Sequence, residues 1–94
     1  MVQASRSSGV LTANKIVFGG QCKLMSIHAT NVSNPPAVCI LKVYDGTDAT
    51  GIEIARISVQ PESSIEFDMH GVLCKTGIFY EEVDDGLATS IEFQ

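Results

Sequence analysis

Hydrophobic and polar residues alternate along most of this chain, and the alternation has a period of two. Between Gln21 and Val32, Met25, Ile27 and Ala29 fall on one face while Lys23, Ser26, His28 and Thr30 fall off it. This pattern predicts a half-buried strand. Leu24 breaks it and is expected to point outward. The run Val38 to Thr47 is denser: six of its first seven residues are apolar and four of the ten are β-branched, which suits a strand packed on both sides. Cys39, Leu41 and Val43 take one face; Val38, Ile40, Lys42 and Tyr44 take the other. Asp45-Gly46 reverses the chain into Gly51–Val59, which returns antiparallel with Ala55, Ile57 and Val59 inward. Ser63–Met69 alternates again, with Ile65, Phe67 and Met69 inward. A link over 70–77 leads to Ile78–Val83. Asp84-Asp85-Gly86 carries a hairpin signal into Leu87–Phe93, where Leu87, Thr89, Ile91 and Phe93 share a face.

Gly9–Phe18 reads as a first strand, preceded by a small, polar, extended or disordered arm over residues 1–8. Ser33-Asn34-Pro35-Pro36 and Gln60-Pro61-Glu62 are turns, because proline cannot donate to a ladder. No window offers a capped helix of ten residues. The expected fold is all-β: an antiparallel β-sandwich, jelly-roll-like, of seven or eight short strands with an extended N-terminal arm. Residues 1–19 are the arm and possible first strand, and residues 20–94 the sandwich domain.

Composition adds an expectation about partners. The 94 residues are one domain with room for one small core, yet 45% are hydrophobic at a net charge of −5 and a mean hydropathy of +0.19. So much apolar surface on a small domain predicts a subunit interface and a homo-oligomer. No apolar run approaches the ~20 residues of a membrane helix, and the start lacks the apolar segment of a signal peptide, so a cytoplasmic chain is expected. Cys22, Cys39 and Cys74 are odd in number and lack metal-ligand spacing; they are expected to be free, buried thiols. Asn31-Val32-Ser33 matches a glycosylation sequon, which has no acceptor role without a secretory route.

Charge is divided along the chain: residues 1–44 carry +4 with no acid, residues 45–94 carry −9. The first segment can therefore be a weakly basic arm on an acidic neighbour. Nucleic-acid binding is disfavoured, since clustered Lys/Arg with aromatic platforms is missing.

The succession Lys23-Leu24-Met25-Ser26-Ile27-His28-Ala29-Thr30-Asn31, Leu41-Lys42-Val43-Tyr44-Asp45-Gly46-Thr47, Gly51–Val59, Ser64-Ile65-Glu66-Phe67-Asp68, Gly77-Ile78 and Ile91-Glu92-Phe93 resembles small β-sandwich proteins of tailed bacteriophages, especially those of marine bacteria and cyanobacteria. It covers roughly three quarters of the chain. The resemblance implies a virion component, either a capsid decoration (cement) protein on the major capsid protein or a tail or fibre part, located in particles assembled in the host cytoplasm. It brings no catalytic residues, and residues 1–19 fall outside it.

Candidate chemistry is sparse. Asp45 with Asp48, Glu62 with Glu66, and Glu81-Glu82 with Asp84-Asp85 are acidic groups, but Ca²⁺ needs six to eight converging oxygens and adjacent strand residues point apart. No metal or cofactor is expected. His28 lies on a polar strand face, His70 before Gly71, and no serine sits in a nucleophile elbow, so no enzyme is expected. A carbohydrate- or receptor-binding module is the alternative to a structural protein, with Tyr44, Phe79 and Tyr80 its only stacking candidates. The interface candidates are Val38, Ile40 and Tyr44 on the outer face of the central strand, covered either by the chain's own arm or by another subunit. In the arm, Val10, Leu11, Ile16, Val17 and Phe18 would supply apolar contacts to a neighbour, and Arg6 and Lys15 the polar rim.

Overall fold

The computed structural model describes residues 5–94; the first part of the expected arm lies outside the described residues. These hold eight strands: β1 (Arg6–Ser7), β2 (Lys15–Gly19), β3 (Cys22–Asn31), β4 (Cys39–Asp45), β5 (Ile52–Val59), β6 (Ser64–Cys74), β7 (Gly77–Glu82) and β8 (Leu87–Phe93). They form two four-stranded antiparallel sheets, ordered β1-β8-β3-β6 and β2-β7-β4-β5. Strand one pairs with eight, two with seven, three with six and four with five. Nested pairing of this kind, wound around one core, is the jelly-roll form of the sandwich.

The core lies between the inward faces. Cys39, Leu41 and Val43 from β4, Ile78 and Tyr80 from β7, and Leu87, Thr89, Ile91 and Phe93 from β8 are all buried. Alternation along these strands matches the sequence pattern because the pleat sends every second side chain inward.

Bulges explain where the pattern misleads. Between Leu24 and Ser26 the register of β3 against both neighbours shifts. Met25 absorbs the extra residue, so Leu24 and Ile27, an odd number of residues apart, both reach the core at 0% exposure. Leu24 therefore points inward, contrary to the strict alternation. Opposite it, β6 loops out Met69, His70 and Gly71, with φ of 55° at His70 and 79° at Gly71, and then resumes at Val72. The expected link over 70–77 is thus strand as far as Cys74. A shift in β2 between Ile16 and Phe18 likewise turns Phe18 inward.

The Asp85-Gly86 turn is not a hairpin: β7 and β8 lie in different sheets. Gly86 serves close approach instead. At its φ of 134° an added Cβ would stand 2.6 Å from the Ser33 Cβ, while Val32 N–H donates to Gly86 O at 2.8 Å. Within residues 1–19, β1 extends one sheet and β2 the other. Their N–H and C=O groups pair with β8 and β7 of the same chain, so this segment belongs to the sandwich.

Candidate assembly surface

The sheets end along two flanks, and the flanks differ. Along one, the N-terminal segment closes the gap. Ser8 N–H donates to Ile91 O and Ile91 N–H donates to Ser8 Oγ, both at 2.8 Å. Leu11 and Thr89 exchange N–H···O bonds of 2.6 and 3.0 Å, which seats Leu11 in the core. The Arg6 guanidinium lies 5.5 Å from the Phe18 ring centroid, and Phe18 meets Phe93 at 5.4 Å. Side chains from both sheets thus interlock over this flank.

Along the other flank β5 and β6 are edge strands, one from each sheet, with no further described strand beside either. Ile54 and Ile57 of β5 and Ile65, Phe67 and Met69 of β6 line a groove of about 470 Å³ between them. Ile57 forms its buried floor, while Phe67 remains 47% exposed although its strand alternation aims it inward. Arg56 of β5 also borders the groove, while Glu66 and Asp68 of β6, in register with His28 and Ser26, are exposed on the outer face of the same edge strand. Charges on an edge discourage indiscriminate pairing, while the apolar groove remains open to a shaped partner. The sequence carries the alternation of both strands but not their adjacency, because consecutive strands in different sheets leave no local mark.

The predicted interface residues do not form one patch. Val38 is 45% exposed and Ile40 half-buried, but Tyr44 is buried at 7% exposure, contrary to expectation. Its ring packs against Phe79 at 6.2 Å between centroids and its hydroxyl donates to Glu81 Oε1 at 2.9 Å. Lys42 and Glu81, paired in register, separate Ile40 from Tyr44 on this face. Of the arm residues, Leu11, Val17 and Phe18 pack on the chain's own core and are withdrawn from any neighbour. Val10, at 72% exposure, and Ile16, at 48%, remain outside with Arg6 and Lys15.

Several of the acidic side chains are occupied by protein donors. Asp45 accepts from the backbone N–H groups of Lys75, Thr76 and Gly77 at 2.9 to 3.3 Å. The Thr76 and Lys75 bonds hold its carboxyl below the usual range. Asp48 accepts from Thr50 N–H and Oγ1, which likewise lower its pKa. Glu81 takes the Tyr44 hydroxyl on the outer face, and Glu82 takes the Tyr80 hydroxyl at 2.9 Å. Burial pushes the Glu82 carboxyl up, and burial also raises the Tyr80 phenol, whose oxygen lies 2.8 Å from Thr89 Oγ1 in the core. Among the described residues no group of three or more His, Cys, Asp or Glu side chains is arranged to hold a metal ion.

One polar constellation escaped the sequence reading. His28 Nε2 lies 3.1 Å from Ser26 Oγ and 3.2 Å from Glu92 Oε1, and Nδ1 lies 3.5 Å from Glu66 Oε2. Serine, imidazole and carboxylate stand in the order of a hydrolytic triad. However, Glu92 competes for the nitrogen facing the serine. The flanking strand N–H groups also lie in the sheet plane, turned into its ladders, and so are ill placed to stabilise an oxyanion above the face. The cluster is a polar seam across β6, β3 and β8.

The fold and these surfaces define a small jelly-roll sandwich with one closed and one open flank. No protein-family model, curated protein or solved structure matches the chain.

Proposed function

We propose that the chain is a non-enzymatic structural subunit of a tailed-phage virion: a capsid decoration protein that bridges major capsid subunits and holds them through its open flank. The observation that carries this reading is the apolar groove between two unpaired edge strands, with Phe67 half in solvent. Such a groove receives an extended segment of a neighbouring protein, whose backbone pairs with β5 or β6 while alternate side chains enter between the sheets. The resemblance to phage sandwich proteins narrows the neighbour to the virion, and jelly rolls serve capsids widely. A tail or fibre module that binds carbohydrate is less well supported. Tyr80 lies in the core, and Tyr44 is buried with its hydroxyl engaged, so neither offers a stacking platform.

The test uses particles stripped of this chain. Wild-type protein should rebind the head lattice, Ile40→Glu should rebind equally, and Phe67→Glu should rebind at least ten-fold more weakly. Density at the tail tip in cryo-images would favour the alternative. Absence of the chain from purified virions would overturn the assignment altogether.

A further inference from the structure

Cys22 and Cys74 lie far apart in sequence but are direct cross-strand partners where β3 and β6 pair. Both face the core, at 5% and 0% exposure, and both are free thiols. Directly opposed residues of an antiparallel pair have Cα atoms about 4.5–5.5 Å apart, within the range of about 4.4–6.8 Å that a disulfide spans. The third cysteine cannot compete. Cys39 pairs with Val59 on the other sheet, and its thiol points to Ala37 O at 3.6 Å and Asp85 O at 3.9 Å.

We propose that Cys22 and Cys74 are an oxidative modification site, which closes to an intrachain disulfide on exposure to a small-molecule disulfide. The two thiols differ in access. Cys22 borders an open depression of about 270 Å³, lined with Gln21, Lys23, Leu73 and Gln94, whereas Cys74 is sealed behind it. Attack therefore begins at Cys22. Its thiolate displaces one thiol from the reagent and leaves a mixed disulfide at the depression. The Cys74 thiolate then attacks the Cys22 sulfur and expels the second thiol. Two protein thiols are oxidised, one reagent disulfide is reduced to two thiols, and the two protons lost by the protein balance those gained by the leaving groups.

The surroundings make the reaction slow at neutral pH. Burial, with Asp45 adding to it, raises the Cys22 thiol, and burial beside Cys22 pushes Cys74 up to about 12. A thiol held protonated is a poor nucleophile, so closure should accelerate with pH. The site rests on the register between β3 and β6 and not on any virion role.

The folded wild-type chain is incubated with glutathione disulfide at neutral and mildly alkaline pH, quenched by alkylation, and mapped without reduction. The expected product has lost two hydrogens, contains a Cys22–Cys74 cross-linked peptide and retains one alkylatable thiol, at Cys39. It should form faster at the higher pH and melt roughly 10 °C above the reduced chain. Cys39→Ser should close like wild type, and Cys74→Ser should stop at a glutathione adduct on Cys22. Three alkylatable thiols after incubation overturn the proposal, as does a persistent adduct on wild-type Cys22 or a link that includes Cys39.

Discussion

Four hydrogen bonds converge on the Asn31 amide: its Nδ2 donates to Ala37 O and Val59 O, and its Oδ1 accepts from Ser33 N–H and Ser33 Oγ. One buried side chain so fastens the end of β3 to the loop before β4 and to the end of β5, which makes the sequon asparagine a structural residue. Asp45 plays a comparable part at the opposite end of β4, where its carboxylate caps the turn from β6 into β7. Its pKa is lowered from 3.8, so the folded chain favours the charged form. The stabilisation is then complete above the unfolded value and is lost as pH falls through the lower folded value. Asp45→Asn keeps the shape but turns an amide N–H toward a backbone donor. It should lower stability at neutral pH by about 1–3 kcal/mol and flatten the acid limb of the profile, as read by urea midpoints between pH 2 and 7. An unchanged acid limb would show that another carboxylate governs it.

At the scale of elements, the inward faces of β4, β5 and β8 were legible because alternation and burial coincide there. Leu24 was not, since a bulge inserts one residue without any local change in composition. The hairpin signal at Asp85-Gly86 failed for another reason: Gly satisfies a close approach to Ser33 as well as it satisfies a tight turn. For the arm, a short apolar run next to a polar one looks the same in sequence whether it docks on its own chain or on a neighbour. Leu11 now separates those cases. If it fills the chain's own core, Leu11→Ala should lose about 2–4 kcal/mol in the isolated protein, while Val10→Ala should stay within about 0.5 kcal/mol of wild type. Equal denaturation midpoints for the two variants would return the arm to an external role.

For the whole molecule, the asymmetry between the flanks matters more than any single site. The N-terminal segment seals one side with Leu11, Arg6 and Phe18, and nothing comparable covers the groove between β5 and β6 in the described chain. The groove could not be read from the sequence, because it depends on β5 and β6 ending different sheets on the same side. Apolar surface left open in this way drives association when its intended neighbour is missing. Purified wild-type protein should therefore self-associate as its concentration rises through the micromolar range. Phe67→Glu sets a charge at the mouth of the groove, and burying that charge against a second copy would be strongly unfavourable. It should remain folded, because Phe67 is half-exposed, and should sediment as a monomer. Ile40→Glu alters the outer face of β4 instead and should associate like wild type. Sedimentation velocity across a concentration series distinguishes the outcomes. A monomeric wild type would remove self-association from the picture, and an Ile40→Glu monomer beside an associating Phe67→Glu would move the contact to the outer face of β4.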